Sequence, residues 1–188
     1  GTYDAVVVDE VQDFTNSQLS LVLKSLKDNS QFLLCGDANQ IVHPNFFSWS
    51  KLKSFFYQGA DLNTNNITRI LATNYRNTPE VTELANRVLR FKNYRFGSID
   101  KESHYLMESN SENHGSVSCL EAAPNIIKEI NTKTSKSTNY AIIVLQDRYK
   151  QKAREFFNSP LIFTVQEAKG LEYENIVLYD FVSSERNY

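Results

Sequence analysis

Glycine is scarce in this sequence, with six residues among 188. None is clustered with others and no Gly-x-x-x-x-Gly-Lys-Ser/Thr string occurs, so the chain has no loop in which backbone amides cradle a triphosphate. Neither sign of charge predominates, because 20 basic and 22 acidic residues leave a net charge of −2. Without a global basic field, any nucleic acid must be bound through a local surface.

Long apolar runs and cysteines are also few. No run approaches the ~20 apolar residues that span a bilayer, and nothing resembles a signal peptide. The two cysteines, Cys35 and Cys119, lie in apolar stretches. This predicts that they pack as small hydrophobic residues rather than form a disulfide or a metal site. We therefore expect an intracellular, reducing compartment, cytoplasmic or, in a eukaryote, nuclear, and no membrane partner.

Two adjacent carboxylates, Asp9 and Glu10, follow the apolar run at residues 5–8. An apolar run bounded by charge predicts a parallel strand covered on both faces, and such sheets bind ligands at the carboxyl ends of their strands. One carboxylate there can hold a hydrated Mg²⁺ while its neighbour orients an attacking water, as nucleoside triphosphate hydrolysis requires. The alternative is a strand that merely ends in solvated acids.

Strands and helices are predicted to alternate along the chain, which indicates the α/β class. Helices are predicted around residues 19–26, at 48–57, from 79, at 124–131 and at 148–157, and a surface loop at 59–66. Further strands are predicted at residues 31–35, 67–71, 117–120, 140–145, 161–165 and 175–179.

The helix predicted to begin at Pro79 has the clearest start signal. Thr78 is expected to be its N-cap and proline suits the first helical position. Its predicted core stripe consists of Val81, Leu84, Ala85, Val88 and Leu89. The polar stretch at residues 93–113 shows little pattern, and we expect a mobile loop there.

Four strings resemble, in order, motifs of superfamily I helicases of the UvrD/Rep type. Residues 9–13 (Asp-Glu-Val-Gln-Asp) resemble motif II, the Walker B box, where the family more usually has alanine third. Residues 33–40, which end in Gly-Asp-Ala-Asn-Gln, resemble motif III, residues 73–78 (Thr-Asn-Tyr-Arg-Asn-Thr) motif IV and residues 164–173 motif V. One such string is weak evidence, but four in the family's order over most of the chain make coincidence improbable.

The resemblance implies two RecA-like domains that clamp ATP between them. Residues 1–66 would be the second half of domain 1A, with motifs II and III, and residues 67–188 would be domain 2A, with motifs IV and V. Only 87 residues separate Arg76 from Thr164, too few for the family's large 2B insertion. The Walker A loop and motif VI would lie in remaining helicase segments of a longer protein, so we expect this chain by itself to be inactive.

The resemblance also implies roles for residues of motifs II and III. Asp9 would coordinate Mg²⁺ and Glu10 would be the general base. Gln40 would sense the γ-phosphate and the attacking water, since an amide can donate and accept at once. Asp37 would belong to the same nucleotide site. The alternative for residues 36–40 is a loop of turn-favouring residues.

Motifs IV and V would complete the ATP site. Tyr75 would stack on the adenine and Arg76 would reach the γ-phosphate as an arginine finger. A Tyr-Arg pair before a helix is otherwise more often packing and a salt bridge. Gly170 would permit a close backbone approach and Glu172 would accept from the ribose hydroxyl.

The expected nucleic-acid partner is single-stranded DNA, with RNA as the alternative. Thr164 and Gln166 would face it, although relatives commonly carry histidine where Gln166 stands. His43 occupies the position of a tyrosine that stacks on bases in many relatives. Phe46, Phe47 or Trp49 could instead provide the stacking platform, or could be buried aromatic residues of the following helix.

Two functions of different classes are consistent with these residues. The first is an ATP-dependent helicase or translocase, favoured by six residues of the four motifs: Asp9, Glu10, Gln40, Tyr75, Arg76 and Glu172. The second is a helicase-like scaffold or regulator that binds nucleotide, nucleic acid or protein without unwinding. The altered motif III aromatics and the short spacing between motifs IV and V keep the second hypothesis open.

Overall fold

The computed structural model describes residues 1–27, 31–42, 47–56, 68–98 and 100–181. The chain divides into two compact units, Gly1–Val117 and Ser118–Tyr188. The boundary predicted after residue 66 and the loop predicted at 59–66 fall outside the described residues, and the assignment of RecA-like domains stays a prediction. Among the described residues, no helix has the length and apolarity needed to cross a bilayer.

The first unit begins with a β-α-β element, as predicted. Strand β1 (Val6–Val8) pairs in parallel with β2 (Phe32–Leu34), and helix α1 (Asn16–Leu23) connects them. A capping box starts α1, in which the Thr15 side chain accepts from the Gln18 backbone and the Gln18 side chain accepts from Thr15 N. Leu19 and Leu23 of α1 and Val8 of β1 join one hydrophobic core.

The prediction that β1 is covered on both faces was wrong. Val8 is 5% exposed, whereas Val7 is 68% exposed and its neighbour Leu33 57%. Successive side chains of a strand point to opposite faces, and α1 covers one face of this two-stranded sheet. In the part of the chain that the structure describes, the continuous apolar run therefore forms a strand with one buried face and one exposed face.

A second β-α-β element follows in the same unit. The element consists of strand β3 (Thr73–Asn74), helix α3 (Pro79–Phe96) and strand β4 (Glu108–Ser109). Helix α2 (Trp49–Phe56) precedes it and buries Leu52. β3 and β4 pair in parallel. The strand predicted at 67–71 was wrong over its described part, because residues 68–72 have no regular structure and Leu71 is 81% exposed.

The predicted core stripe of α3 was also wrong. Val81, Leu84 and Val88 are exposed, and the buried positions are Thr82 and Asn86. The Asn86 carboxamide explains this face, because Nδ2 donates to Met107 O (2.8 Å) and Oδ1 accepts from Met107 N (3.0 Å). A backbone segment needs hydrogen-bonding partners, so the polar face of α3 turns towards it.

The expected mobile loop at 93–113 is instead held by specific contacts. It contains the last turn of α3, a 3₁₀ turn at Lys101–Ser103 and β4. Asp100 is buried, and its two carboxylate oxygens accept from Trp49 N (2.8 Å) and Ser50 N (3.1 Å) at the start of α2. A carboxylate at a helix N-terminus satisfies amides that have no partner within the helix.

The second unit is built on a three-stranded parallel sheet. Its elements are α4 (Pro124–Thr134), β5 (Tyr140–Val144), α5 (Arg148–Phe156), β6 (Ile162–Thr164), α6 (Val165–Ala168) and β7 (Asn175–Leu178). The strand order is β6-β5-β7, with β5 in the centre. These strands and both longer helices confirm the predictions for this part of the chain. The core consists of Ile142, Val144, Ala153, Phe157 and Ile162.

Two predictions near apolar stretches failed. Residues 117–120 form no strand, and Val117 and Leu120 are about half exposed. Cys35 and Cys119 are free thiols with exposed side chains rather than packed core residues. Cys35 follows the last residue of β2, where the chain leaves the core.

Candidate functional site

The residues of motifs II and III lie at one edge of the first sheet. Asp9 and Glu10 directly follow β1, and the 36–40 turn follows β2 one residue later. The strands are parallel with Val8 opposite Leu34, so both carboxyl ends meet at the same edge. Backbone hydrogen bonds join the two loops, since Cys35 N donates to Val8 O (2.8 Å) and Val11 N donates to Cys35 O (2.9 Å).

The two carboxylates stand at a sharp bend of the backbone. Glu10 has a left-handed conformation, with φ of 51°, and its N–H donates to Asp9 Oδ1 at 2.8 Å. Both residues are exposed. A non-glycine residue in this region is strained, and such strain recurs at functional sites.

Gln12 connects the two motifs, and the sequence reasoning assigned it no role. Its side chain is completely buried. Nε2 donates to Glu10 Oε2, and Oε1 accepts from Asp37 N at 3.0 Å. The residue was visible in the Asp-Glu-x-Gln-Asp string, but only the packing shows what its amide joins.

The motif III turn continues this set of hydrogen bonds. Asp37 Oδ1 accepts from Asn39 N (2.8 Å), and Oδ2 accepts from Gln40 Nε2 (3.1 Å). Three residues of the predicted site, Glu10, Asp37 and Gln40, are thereby brought together with Gln12. Gln40 is exposed and its amide is held beside a carboxylate at the sheet edge.

Motif IV follows β3 in the same unit. The Asn74 side chain accepts from both Arg76 N and Asn77 N at 2.9 Å, which shapes the turn before α3. The Tyr75 side chain is 74% exposed and Arg76 is exposed as well. The predicted stacking and arginine-finger roles of this pair stay predictions.

A separate contact ties the motif III turn to the helix after motif IV. Lys92 Nζ of α3 donates to Asn39 Oδ1 at 2.6 Å, and Asn39 Nδ2 donates to Ser103 O at 3.3 Å. The sequence alone did not predict this contact. The partners of Asn39 lie 53 and 64 positions further along the chain, and no local sequence pattern links residues so far apart. It gives the 36–40 turn a second anchor besides Gln12.

In the second unit, motif V forms the start of α6. Thr164 is the N-cap, and its hydroxyl accepts from Glu167 N (3.2 Å) while Glu167 Oε2 accepts from Thr164 N (2.8 Å). Lys150 Nζ donates to both Glu167 oxygens at 2.8 Å. The Lys150 hydrogen bond, followed by the Thr164 backbone, lowers the pKa of Glu167 to about 2. The Thr-x-x-Glu spacing of a capping box was the signal for this arrangement.

Other motif V residues are placed as follows. Thr164 is 6% exposed, so the structure shows it as a helix cap, and its contact with a nucleic acid stays a prediction. Gln166 and Glu172 are exposed. Gly170 has φ of +80°, and a Cβ atom there would meet nothing within 4 Å, so the backbone conformation accounts for the glycine.

Two of the aromatic residues after motif III, Phe47 and Trp49, lie in the described part of the chain. His43 and Phe46 lie outside the described residues. Phe47 is 8% exposed and packs edge-on against Trp49, with ring centroids 5.3 Å apart. Phe47 thus follows the buried-aromatic alternative.

Asp9 is the residue that the resemblance assigns to Mg²⁺. Within the described ranges, no cluster of three or more His, Cys, Asp or Glu side chains could hold a metal ion. Mg²⁺ keeps several waters and usually takes one or two carboxylates together with substrate phosphates. The exposed Asp9 carboxylate fits that mode of binding.

The arrangement belongs to the class of α/β proteins with polar side chains at the carboxyl ends of parallel strands, where such folds bind ligands. The chain is 28% identical to the human TPR and ankyrin repeat-containing protein 1 over an alignment of 203 positions, gaps included. It is 25% identical over 150 residues to a probable DNA helicase II homolog of Mycoplasma capricolum.

Both relatives are much longer than this chain. The alignment with the human protein covers 96% of the chain and 7% of that protein. The alignment with the helicase II homolog covers 79% of the chain and 18% of that protein. No protein-family model and no solved structure matches the chain. The partial similarity to a helicase II homolog fits a helicase-like function.

Proposed function

We propose that this chain is part of the ATP-hydrolysing core of a UvrD/Rep-like superfamily I helicase or translocase. One observation carries the proposal: Gln12 joins the Glu10 carboxylate after β1 to the Asp37 backbone after β2, and the Asp37 side chain accepts from Gln40. Acids and an amide at adjoining strand ends are the groups that orient a water for attack on a phosphate. The similarity to a helicase II homolog supports the same class.

The proposed chemistry divides the work between the two carboxylates. Asp9 would hold a hydrated Mg²⁺, which would neutralise charge on the phosphates, and Glu10 takes a proton from the attacking water. Gln40 can donate to a phosphate oxygen while its carbonyl oxygen accepts from that water. A Walker A loop from another helicase segment would cradle the phosphates of ATP.

The second side of the proposed ATP site comes from motifs IV and V. Tyr75 has an exposed ring that can stack on adenine, and the Arg76 guanidinium suits a phosphate. Gly170 and Glu172 contact the sugar side of the nucleotide. Motif VI, with its further arginine, is supplied by the same remaining helicase segments as the Walker A loop.

The nucleic acid along which we propose that the protein moves is single-stranded DNA, with RNA as the alternative. Thr164 and Gln166 of motif V and His43 after motif III form the proposed contacts. Because the net charge is −2, binding relies on local groups of this kind and on surfaces contributed by the remaining helicase segments.

A helicase-like scaffold or regulator is the second candidate. One observation favours it: the relative that aligns with 96% of the chain is named for TPR and ankyrin repeats and not for an activity. Such a protein would bind nucleotide, nucleic acid or protein without unwinding.

Substitution of Glu10 in the complete protein that contains this chain tests the proposal. Glu10→Gln should lower ATP turnover in the presence of single-stranded DNA by about 10²- to 10⁴-fold, because a positioned general base contributes that much. Binding of a fluorescent ATP analogue should persist, because Asp9 and the phosphate loop are unchanged. Steady-state phosphate release and a binding titration measure the two effects.

The control is Glu112→Gln, which makes the same change at an exposed glutamate of the same unit. It should leave turnover unchanged. A Glu10→Gln protein with wild-type turnover would refute the catalytic role. A complete protein that binds ATP or nucleic acid without hydrolysis would favour the scaffold.

A further inference from the structure

Gln12 is the most thoroughly enclosed polar side chain at the candidate site. It is 0% exposed, and its neighbour Val11 is buried to the same extent. One end of its amide donates to Glu10 Oε2, and the other accepts from Asp37 N at 3.0 Å. Burial of an amide is costly unless its groups are paired, so this side chain has one favourable orientation.

Glutamine meets a requirement here that neither an acid nor an apolar residue of similar size meets. A backbone N–H must find an acceptor, whereas a carboxylate must find a donor. The two ends of one amide satisfy both needs across the gap between the loops. The Asp37 N–H therefore determines which end of Gln12 faces Glu10.

Gly36 shows how closely the motif III turn is packed on this amide. A Cβ atom at Gly36 would overlap Gln12 Oε1 and would come within 2.8 Å of Val11 Cγ1. Real Cβ atoms do not approach other atoms so closely, so any larger residue must displace the amide or the turn. The 36–40 turn and the Gln12 amide are therefore closely packed, with no room for an additional atom at Gly36.

We propose that Gln12 is a positioning residue that transmits movements of the 36–40 turn to the Glu10 carboxylate. This inference rests on the proposed role of Glu10 as general base. When Gln40 and Asp37 shift, the Asp37 N–H moves the Gln12 amide, and the amide moves the carboxylate it holds. The base is thus correctly placed in one arrangement of the motif III turn and misplaced in others.

Two substitutions of Gln12 in the complete protein test the hydrogen bonds made by the two ends of its amide. Gln12→Met keeps the approximate volume and removes the hydrogen bonds to Glu10 and to Asp37. Gln12→Glu keeps an acceptor for Asp37 N but places a second carboxylate against Glu10. If Gln12 acts on Glu10, both variants should lower kcat for ATP by about 10- to 100-fold, since misplacement of a catalytic group by about 1 Å has effects of this size.

Nucleotide affinity distinguishes positioning from a merely structural role. The dissociation constant of a fluorescent ATP analogue should stay within about threefold of wild type, because the lost interaction acts on the chemical step. In single-turnover assays, adding Gln12→Met to Glu10→Gln should cause no further loss, since the group it positions is already gone. Gln151→Met and Gln151→Glu, at an exposed position of α5, are the matched controls and should retain full kcat.

The outcomes separate this inference from the proposed function. Wild-type turnover in Glu10→Gln, or no hydrolysis by the complete protein, overturns the proposed function and the inference with it. If Glu10→Gln is inactive but Gln12→Glu keeps its kcat, the inference alone is overturned. Gln12→Glu is the deciding variant if circular dichroism shows that Gln12→Met does not fold. Further loss in the double variant also contradicts the inference.

Discussion

Glu10 combines features that rarely occur in one surface glutamate. Its backbone is left-handed, its N–H is bonded to the neighbouring carboxylate, and its own carboxylate accepts from a buried amide. The left-handed conformation costs roughly 1–2 kcal/mol for a residue with a Cβ atom. Such a cost persists where surrounding contacts over-determine the conformation, and here Gln12 and the bonded loops of β1 and β2 do so.

Glu167 and Glu80 are the described glutamates whose pKa is lowered to about 2. The pKa of Glu167 falls from 4.5 to about 2, first because Lys150 donates to it and then because Thr164 N does. A lowered folded-state pKa means that the stabilisation is complete above about pH 4.5 and is lost as the pH falls through 2. Glu167→Gln should therefore lower the melting temperature at pH 7, and this difference should shrink towards pH 2.

The measurement is thermal unfolding followed by circular dichroism at several pH values between 7 and 2. Glu121→Gln is the control, since Glu121 is an exposed residue of the same unit outside helices and strands. Its melting temperature should follow that of wild type at every pH. A Glu167→Gln difference that is independent of pH would show that ionisation of Glu167 is not the cause.

At the level of elements, α3 shows the limit of hydrophobic periodicity. The apolar positions 81, 84 and 88 recur at helical spacing and correctly predict a helix. They do not identify the packed face, because the segment beside α3 offers the Met107 backbone, which an amide satisfies better than a hydrocarbon. Thr82 and Asn86 are accordingly buried.

Asn86 should be essential for holding β4 against α3. Asn86→Ala removes two hydrogen bonds and leaves the N–H and C=O of Met107 without these partners. An unsatisfied group costs about 1–3 kcal/mol when it is buried, and Met107 is half-buried, so we expect the free energy of unfolding to fall by about 1 kcal/mol. Urea denaturation followed by tryptophan fluorescence of Trp49 measures the change.

Asn110→Ala provides the comparison for Asn86. Asn110 is exposed next to β4, and its backbone N–H, which donates to Asn74 O, is kept by alanine. We expect a change below about 0.5 kcal/mol, as is usual for surface substitutions. Equal effects at positions 86 and 110 would mean that the buried amide contributes nothing special.

For the whole molecule, the main feature is the division into two units with separate cores. The first core gathers residues from β1, α1 and α2, and the second gathers residues from β5, α5 and β6. Residues 118–188 contain a complete three-stranded parallel sheet with helices α4 and α5. We therefore expect this segment, expressed separately, to unfold cooperatively.

Ile142 tests the core of that segment. It is completely buried in the central strand β5, so Ile142→Ala should lower the free energy of unfolding by about 2–5 kcal/mol. Ile176→Ala makes the same change in β7 at a residue that is 52% exposed, and should cost clearly less. Denaturant titrations of the unsubstituted segment and of the two variants give the three free energies of unfolding to be compared. Equal costs would indicate that residues 118–188 do not form this core in isolation.

Much of the second unit could be predicted from local sequence. The runs at residues 140–145, 161–165 and 175–179 became β5, β6 and β7, because each apolar run ends in polar or turn-forming residues. The runs at 67–71 and 117–120 have similar composition but form no strand among the described residues. A strand needs a neighbour to pair with, and composition does not show whether one is present.

The same distinction applies to the candidate site. Asp9, Glu10, Asp37 and Gln40 were identifiable from their types and from their positions after apolar runs, because parallel strands present their ends at one edge. The role of Gln12, the Asn39–Lys92 contact and the buried face of α3 depended on folding. Each is a contact between residues distant in the chain, and such contacts follow from packing geometry, which no local pattern encodes.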